Sequence, residues 1–362
     1  MAAKKYFTPL QEVYRFVTEA MMAAGTPELY AQNMAEVLVS ADRRGHTSHG
    51  LNRLGIYVAE VLNGTTDPCT TPTIIQDKGA VALVDGNNGL GPVVGNICMD
   101  LAMEKAKQMG VGWIAARGSN HYGMAGWYSM RAADKGFVGI TCSNSSPLAV
   151  PHRGKKAVLG TNPISVAAPG NNDSFVLDMA TTAVSLGKID IQRAENAKIP
   201  AGWAQDFEGK ETTNSDTAMI AGCLIPLGRT EETSGYKGTG LALMVEILCG
   251  ILSGANYGPF IKKLKSTTGP ANLGQSFIAL DPSAFAPHFE DRLSHLLEVI
   301  RTSQPVDPTK PILVAGDPER IHMSQVTCRG GLLYHHGLIR SLLKLAMDLQ
   351  INPLQCKPLS SC

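Results

Sequence analysis

Between Arg43 and Arg53 the chain reads Arg43-Arg44-Gly45-His46-Thr47-Ser48-His49-Gly50-Leu51-Asn52-Arg53. Two imidazoles, two hydroxyls and three guanidiniums thus crowd one short stretch. Imidazole is the side chain best suited to moving a proton near neutral pH. A guanidinium grips a carboxylate through a planar, two-pronged contact. A hydroxyl beside a histidine can orient it or relay its proton. The set reads either as acid–base chemistry on an acidic substrate or as a solvated helix end whose basic residues complement the dipole.

Four further clusters carry polar groups at turns. In Gly118-Ser119-Asn120-His121-Tyr122-Gly123, His121 follows a strand and precedes a helix. It could be an acid–base group, a cofactor contact or a helix cap. Gly160-Thr161-Asn162-Pro163 marks a turn entering a strand, with backbone groups that a ligand could use. Asp178 closes the apolar run Val176-Leu177, where a carboxylate is costly to bury alone. A histidine of the first cluster would suit it as a partner, and an N-cap role would suit it as well. Gly235-Tyr236-Lys237-Gly238 opens an apolar helix, with Lys237 placed for a phosphate or carboxylate or left in solvent.

The elements that must position these groups alternate. Thr8-Pro9-Leu10-Gln11 predicts a capped helix from Thr8 to Met22, ended at Gly25. Thr26-Pro27-Glu28 starts a second that runs to about Arg44. Strands are expected at Ala80–Val84, Val111–Ala116 and Phe137–Cys142, separated by helices Val94–Met109 and Met124–Asp134. Further strands follow at Val158–Leu159, Ile164–Ala167 and Phe175–Asp178. Beyond a loop from Glu195 to Asp216 come a helix at Thr239–Ser253, an extended run at Thr267–Pro282 and helices at Glu290–Ser303 and His336–Leu349. Such alternation argues an α/β or α+β fold.

One stretch imitates a dinucleotide fingerprint. The strand-like Ala80–Val84 feeds Gly89-Leu90-Gly91-Pro92 and then a helix. The loop is long, Pro92 follows the second glycine, and the next strand ends at Ala116-Arg117 without a ribose-binding acid. A glycine-rich turn is the better reading. No P-loop, HExxH or GxSxG sequence occurs.

Composition sets the outer limits. The chain has 362 residues, 44% hydrophobic and 17% charged, enough for two or three lobes around a sizeable core. With 32 basic and 31 acidic residues the net charge is +1, which removes any strong pull on nucleic acid or anionic membranes. No apolar run follows the charged start, so no secretory signal is read there. Leu241 to Leu252, interrupted by Glu246, is too short to span a bilayer and reads as a buried helix. Eight cysteines stand singly with no CxxC pair, which suits a reducing compartment and points to the cytoplasm. His335-His336 lacks further ligands at metal-binding spacing, so no metal is expected.

Taken in order, Thr47-Ser48-His49-Gly50 with Arg53, Ser119-Asn120-His121-Tyr122-Gly123, Gly160-Thr161-Asn162-Pro163, Asp178-Met179-Ala180-Thr181, Gly187-Lys188-Ile189, Ile199-Pro200-Ala201-Gly202-Trp203 and Gly235-Tyr236-Lys237-Gly238 resemble the malate/L-lactate dehydrogenase family. That family also holds sulfolactate, ureidoglycolate and diketogulonate enzymes and cyclic-imine reductases. The resemblance covers roughly residues 5–320, and the segment after Arg320 departs from it. It implies a non-Rossmann α/β (α+β) fold with a helical region and a large mixed-sheet nucleotide-binding lobe. The corresponding division is 1–73, packing with the C-terminal part, then 74–255 and 256–362. It implies an NAD- or NADP-dependent oxidoreductase acting on a short 2-hydroxy/2-oxo acid, malate/oxaloacetate first. A piperideine-carboxylate reductase or a non-catalytic dinucleotide-binding protein on the same fold is the alternative. His49 or His121 would move the proton, with Ser48 and Asp178 orienting or relaying. Arg53 and Ser145 would meet the substrate. His121, Tyr122, Gly123, Asp178, Met179, Ala180, Lys237, Gly238, Gly316 and Arg320 would hold the cofactor. A homodimer with sites near the interface is also implied.

Overall fold

Residues 5–263 and 269–359 are described by a computed structural model. Strand β1 (Lys5–Pro9) leads into helices α1 (Leu10–Ala23), α2 (Glu28–Arg43) and α3 (Leu54–Leu62). Pro9 and Pro27 precede the first two helices, where a missing N–H costs nothing. Thr8 does not cap α1. No side-chain cap bond forms there, because strand pairing opposite Leu332 holds Thr8 extended and buried.

The sheet lobe begins with the hairpin β2 (Thr73–Lys78) and β3 (Val81–Asp85). Helix α4 (Gly91–Met109) crosses to β4 (Val111–Ser119), which lies parallel to β3. Helix α5 (Gly126–Ala133) then leads to β5 (Val138–Ser143), β6 (Ile164–Pro169) and β7 (Ser174–Met179). A small unit follows: α6 (Leu186–Ala194), β8 (Ala204–Gln205), β9 (Glu211–Thr212), α7 (Ser215–Ala221) and β10 (Cys223–Leu224). It has its own core of Ile189, Ile199, Ala204 and Leu224. The stretch expected as a loop from Glu195 therefore contains the short pair β8–β9. Helix α8 (Gly235–Glu246) runs on into a π-helical turn, Ile247–Ile251. Then come β11 (Leu273–Leu280), α9 (Phe289–Arg301), α10 (Asp317–Arg329), β12 (Gly331–His335), α11 (His336–Leu349) and β13 (Lys357–Pro358).

The main sheet has the order β2-β3-β4-β11-β5-β6-β7. Strand β11 sits antiparallel between β4 and β5. A boundary after residue 255 therefore cuts through the sheet, because strand pairing rather than chain order decides what shares a core. The other large core joins α1–α3 to the C-terminal elements through Val326, Leu332, Tyr334, Ile339 and Leu342.

At the β3-α4-β4 crossover the glycine-rich turn is packed closely by the protein's own backbone. Gly91 opens α4 directly against the carbonyl oxygens of Asn120 and His121, which a Cβ would overlap. Asn120 Nδ2 also donates to the Gly89 carbonyl at 2.8 Å. Glycine at position 91 thus serves close backbone packing at the start of α4.

Three further expectations change. Leu241–Leu252 is buried on one face only: Val245 and Cys249 pack on Cys142, while Leu243, Met244, Ile247, Ile251 and Leu252 are exposed. Only one side of that helix has the sheet to cover it. Val158–Leu159 makes an isolated bridge with Ala149 rather than a strand. The extended run begins at Leu273, and Thr267 and Thr268 lie outside the described residues, as does Cys362. Among the described residues no helix is long and apolar enough to cross a membrane.

Candidate active site

A cavity of about 750 Å³ opens along one edge of the main sheet. The ends of β4, β5 and β7 and the starts of β6 and β11 meet at that edge. They bring Asn120, His121, Ser145, Thr161, Asp178, Met179, Ala180 and Leu273 to the wall. The facing wall is the chain from Arg44 to Glu60, and residues 182–191 with Lys262 and Lys263 close the sides.

Gly45, with φ of 85°, follows the end of α2 and turns the chain into two short 3-10 turns, Thr47–His49 and Leu51–Arg53. Ser48 Oγ lies 2.9 Å from His49 Nδ1. Arg53 Nε donates to the Ser48 carbonyl at 2.7 Å, which ties the second turn to the first. Among the described residues Arg53 forms no ion pair. One helical turn on, the Tyr57 hydroxyl sits 2.6 Å from His121 Nδ1. The Gly123 N–H donates to the same nitrogen at 3.3 Å. The His49 and His121 rings stack, with centroids 5.7 Å apart and planes 16° from parallel.

These partners fix the two imidazoles differently. A backbone N–H can only donate, so His121 Nδ1 is an acceptor and the neutral ring carries its proton on Nε2. Ser48 can donate or accept, so His49 is free to hold its proton on either nitrogen. Burial drives the pKa of His49 well below the ordinary histidine value, with the adjoining His121 ring, beside which a second charge would be repelled, and the positive field of Arg53 adding to it. Burial also takes His121 down to about 3, again with Arg53 adding.

Asp178 pairs with neither ring. Its Oδ2 accepts the Gly126 N–H at 2.8 Å, so it caps α5, a helix that precedes it in the chain. Burial raises its pKa, and His46, that N–H and Arg44 pull it back. The first-cluster histidine in its field is therefore His46. Ser145 Oγ accepts the Thr161 N–H at 3.1 Å beside the cavity.

The expected cofactor residues divide. His121, Gly123, Asp178, Met179 and Ala180 line the cavity. Tyr122 turns into the core, where its ring stacks on Tyr128 at 4.7 Å. Lys237 is exposed and off the wall, and Gly238 is packed under Leu227, which is on it. Gly316 and Arg320 lie off the wall, while Pro318 and Glu319 between them are on it. Arg320 is committed to Asp317 at 2.6 Å and to the Ser174 carbonyl at 2.8 Å.

Several wall residues escaped the sequence reading, among them Tyr57, Glu60, Lys262 and Lys263. Tyr57 lies four residues after Arg53, on the same helical face, and that spacing was the available clue. Lys262 and Lys263 come from a loop with no such pattern. The Ser146 hydroxyl pins that loop by donating to the Lys262 carbonyl at 2.7 Å.

A family model described as malate/L-lactate dehydrogenase matches residues 8–343, which extends past the atypical stretch after Arg320. The chain is 37% identical over 349 residues to a malate dehydrogenase of Pyrococcus horikoshii, covering 96% of each. The solved structure of that organism's malate dehydrogenase superposes with a TM-score of 0.89 at 35% identity, over 96% of this chain and 97% of that one. An L-sulfolactate dehydrogenase of Methanocaldococcus jannaschii is 36% identical, covering 93% of this chain and 96% of that protein. The delta1-piperideine-2-carboxylate reductase of Pseudomonas syringae pvar. tomato superposes with a TM-score of 0.82 at 27% identity, covering 94% and 99%.

Proposed function

The chain belongs to the malate/L-lactate dehydrogenase family and is a hydroxy acid dehydrogenase, and from this we propose that it interconverts malate and oxaloacetate with NAD or NADP. The observation that carries the reading is the stacked His49–His121 pair facing one cavity with Arg53 and Lys262. The cavity supports the reading of a bound dinucleotide. Its volume exceeds what a four-carbon acid fills and falls within the roughly 300–1,000 Å³ of small-molecule and cofactor sites. Its wall mixes apolar Leu148, Met179, Ile191 and Leu227 with polar Thr161, Asp178 and Lys188. Gly123 and Asp178 to Ala180 would hold the dinucleotide, with Gly238, Gly316 and Arg320 acting through the neighbouring wall residues they support. When bound, the nicotinamide ring supplies or accepts the hydride.

Arg53 grips one carboxylate of the substrate, and Lys262 meets the second. Burial raises the Glu60 pKa, while Lys262 and Arg53 lower it, so these charges share one side of the cavity. This favours a dianionic acid over lactate. In oxidation, neutral His49 takes the hydroxyl proton. His121, whose Nδ1 is committed, stays neutral and offers Nε2–H to the same oxygen. A bound carboxylate offsets the field of Arg53 and so eases the proton onto His49, against the burial that disfavours it most. Ser48 accompanies His49 through both states, Asp178 holds α5 under the cofactor, and Ser145 shapes the substrate end.

A cyclic-imine substrate is the second reading, favoured by the likeness to the piperideine-carboxylate reductase. The same proton donor would serve a C=N bond. We also propose a homodimer through the exposed apolar face of α8 and its π turn. A reducing cytoplasm is the proposed setting, since the eight cysteines stand singly in the sequence with no CxxC pair.

The test is loss of reduced-nicotinamide absorbance with NADH or NADPH against oxaloacetate, pyruvate and a piperideine carboxylate. Preference for oxaloacetate over pyruvate is expected. Preference for the imine would select the second reading, and no oxidation with any pair would overturn both.

A further inference from the structure

Asp42 sits in the last turn of α2, buried beneath the two short turns that carry Ser48, His49 and Arg53. Its Oδ2 accepts the Leu51 N–H at 2.9 Å and the Tyr334 hydroxyl at 2.7 Å. The carboxylate also packs onto Gly50, where any Cβ would overlap it. Gly50 and Leu51 form the joint between the His49 turn and the Arg53 turn, so one buried carboxylate grips that joint. Tyr334 comes from β12, 292 residues further along the chain. The register of β12 is fixed by pairing Phe7 with Leu333 and Thr8 with Leu332. The C-terminal segment, which places Pro318, Glu319 and His322 on the cavity wall, thus also grips this joint through the Tyr334 hydroxyl.

The groups around Asp42 leave it without a counter-ion. Among the described residues no cation lies within ion-pair distance of it. Lys5 of β1 and His322 and Arg329 of α10 line, with Thr47 and Asp42, a small cavity of about 180 Å³. On its own helix Arg43 is exposed, and the adjoining Arg44 donates to Met323 Sδ at 3.5 Å.

We propose that Asp42 and Tyr334 are positioning residues that hold the His49–Arg53 turns in register, and that they do so only while Asp42 is charged. The proposal rests on the reading of His49 and Arg53 as the groups that meet substrate. A carboxylate accepts the Leu51 N–H more strongly than a neutral carboxyl does, so protonation loosens the joint. Burial pushes the Asp42 carboxyl up to about 7, with the Leu51 N–H and Tyr334 hydroxyl pulling it back, so that transition falls near neutrality.

The experiment is the pH profile of kcat/KM for hydroxy acid oxidation in Tyr334→Phe and Asp42→Asn. Tyr334→Phe keeps the ring and removes a donor to the charged form. Its acid limb should move to higher pH by roughly one unit, a shift a merely destabilised fold would not produce. Asp42→Asn keeps an acceptor for Leu51 but cannot titrate, so the limb near neutrality should disappear, with KM rising more than kcat falls. Stabilisation by added NAD should persist in both. Tyr6→Phe, in the same small sheet but bonded to His336, should keep the parent profile. A folded Tyr334→Phe with the parent limb and KM would overturn the proposal, and it decides alone if Asp42→Asn fails to fold. If His49→Ala abolishes turnover while both variants match the parent, only the positioning role fails. If His49→Ala turns over normally, the reading beneath it fails too.

Discussion

At the scale of the residue, the site works by setting two imidazoles in different chemical situations. His121 has its Nδ1 committed to a backbone N–H, whereas His49 leans on a hydroxyl that can reverse direction. His121 is held near pKa 3, against about 6.5 for a free histidine. Between those values the unfolded chain binds a proton that the native ring refuses, so stability is full above pH 6.5 and falls as pH drops toward 3. Thermal unfolding between pH 7 and 5 should show this, with His121→Asn flattening the slope by up to about 1.4 kcal/mol per pH unit. Asp42 acts in the opposite sense, because its raised pKa makes the native state the better proton binder below about 7. Comparing parent and variant removes that contribution. Arg53→Lys keeps the charge but loses the planar fork. Steady-state kinetics should show KM for the acid rising roughly tenfold or more with kcat changed little, the cost of a charge-assisted hydrogen bond of about 1.5–3 kcal/mol.

At the scale of the element, close backbone approach decides where the histidine loop sits. Position 91, the first of helix α4, must be glycine because the Asn120–His121 backbone lies where a Cβ would be. Gly91→Ala must push that loop away or strain the helix start. An overpacking cost of about 1–3 kcal/mol is expected in denaturant unfolding, with a fall in turnover larger than the loss of folded protein explains. The spacing of Gly89, Gly91 and Pro92 was readable in the sequence. Its purpose was not, because the carbonyls it accommodates lie on a different loop. The same holds for Thr8, whose capping pattern is overridden by pairing with β12.

At the scale of the whole molecule, apolar surface stays exposed among the described residues. Leu243, Ile247 and Ile251 recur on one face of α8 and its π turn, and all three are exposed. Apolar surface of this kind is what the proposed homodimer would bury. Light scattering of the parent should give a dimer, and Ile247→Glu should give a monomer that keeps its secondary structure. A parent that is monomeric at all concentrations would remove this face as the interface.

Some of this was fixed by sequence alone, for a local reason. Proline and glycine punctuation sets helix ends, and apolar runs bounded by polar turns set β4, β5, β6 and β7, because both act within a few residues. The ordered motifs around His49, His121, Asp178 and Gly238 were enough to indicate the family, since each is a contiguous string. What the tertiary structure alone decided is everything that depends on pairing across the chain. Strand β11 enters the middle of the sheet by hydrogen-bonding to β4 and β5. Tyr57 finds His121, Tyr334 finds Asp42, and Lys262 joins Arg53 at one cavity. Arg320 is withdrawn into an ion pair, and Asp178 caps a helix that precedes it. Such pairings are set by packing and by satisfying buried polar groups in three dimensions, so no local pattern in the sequence encodes them.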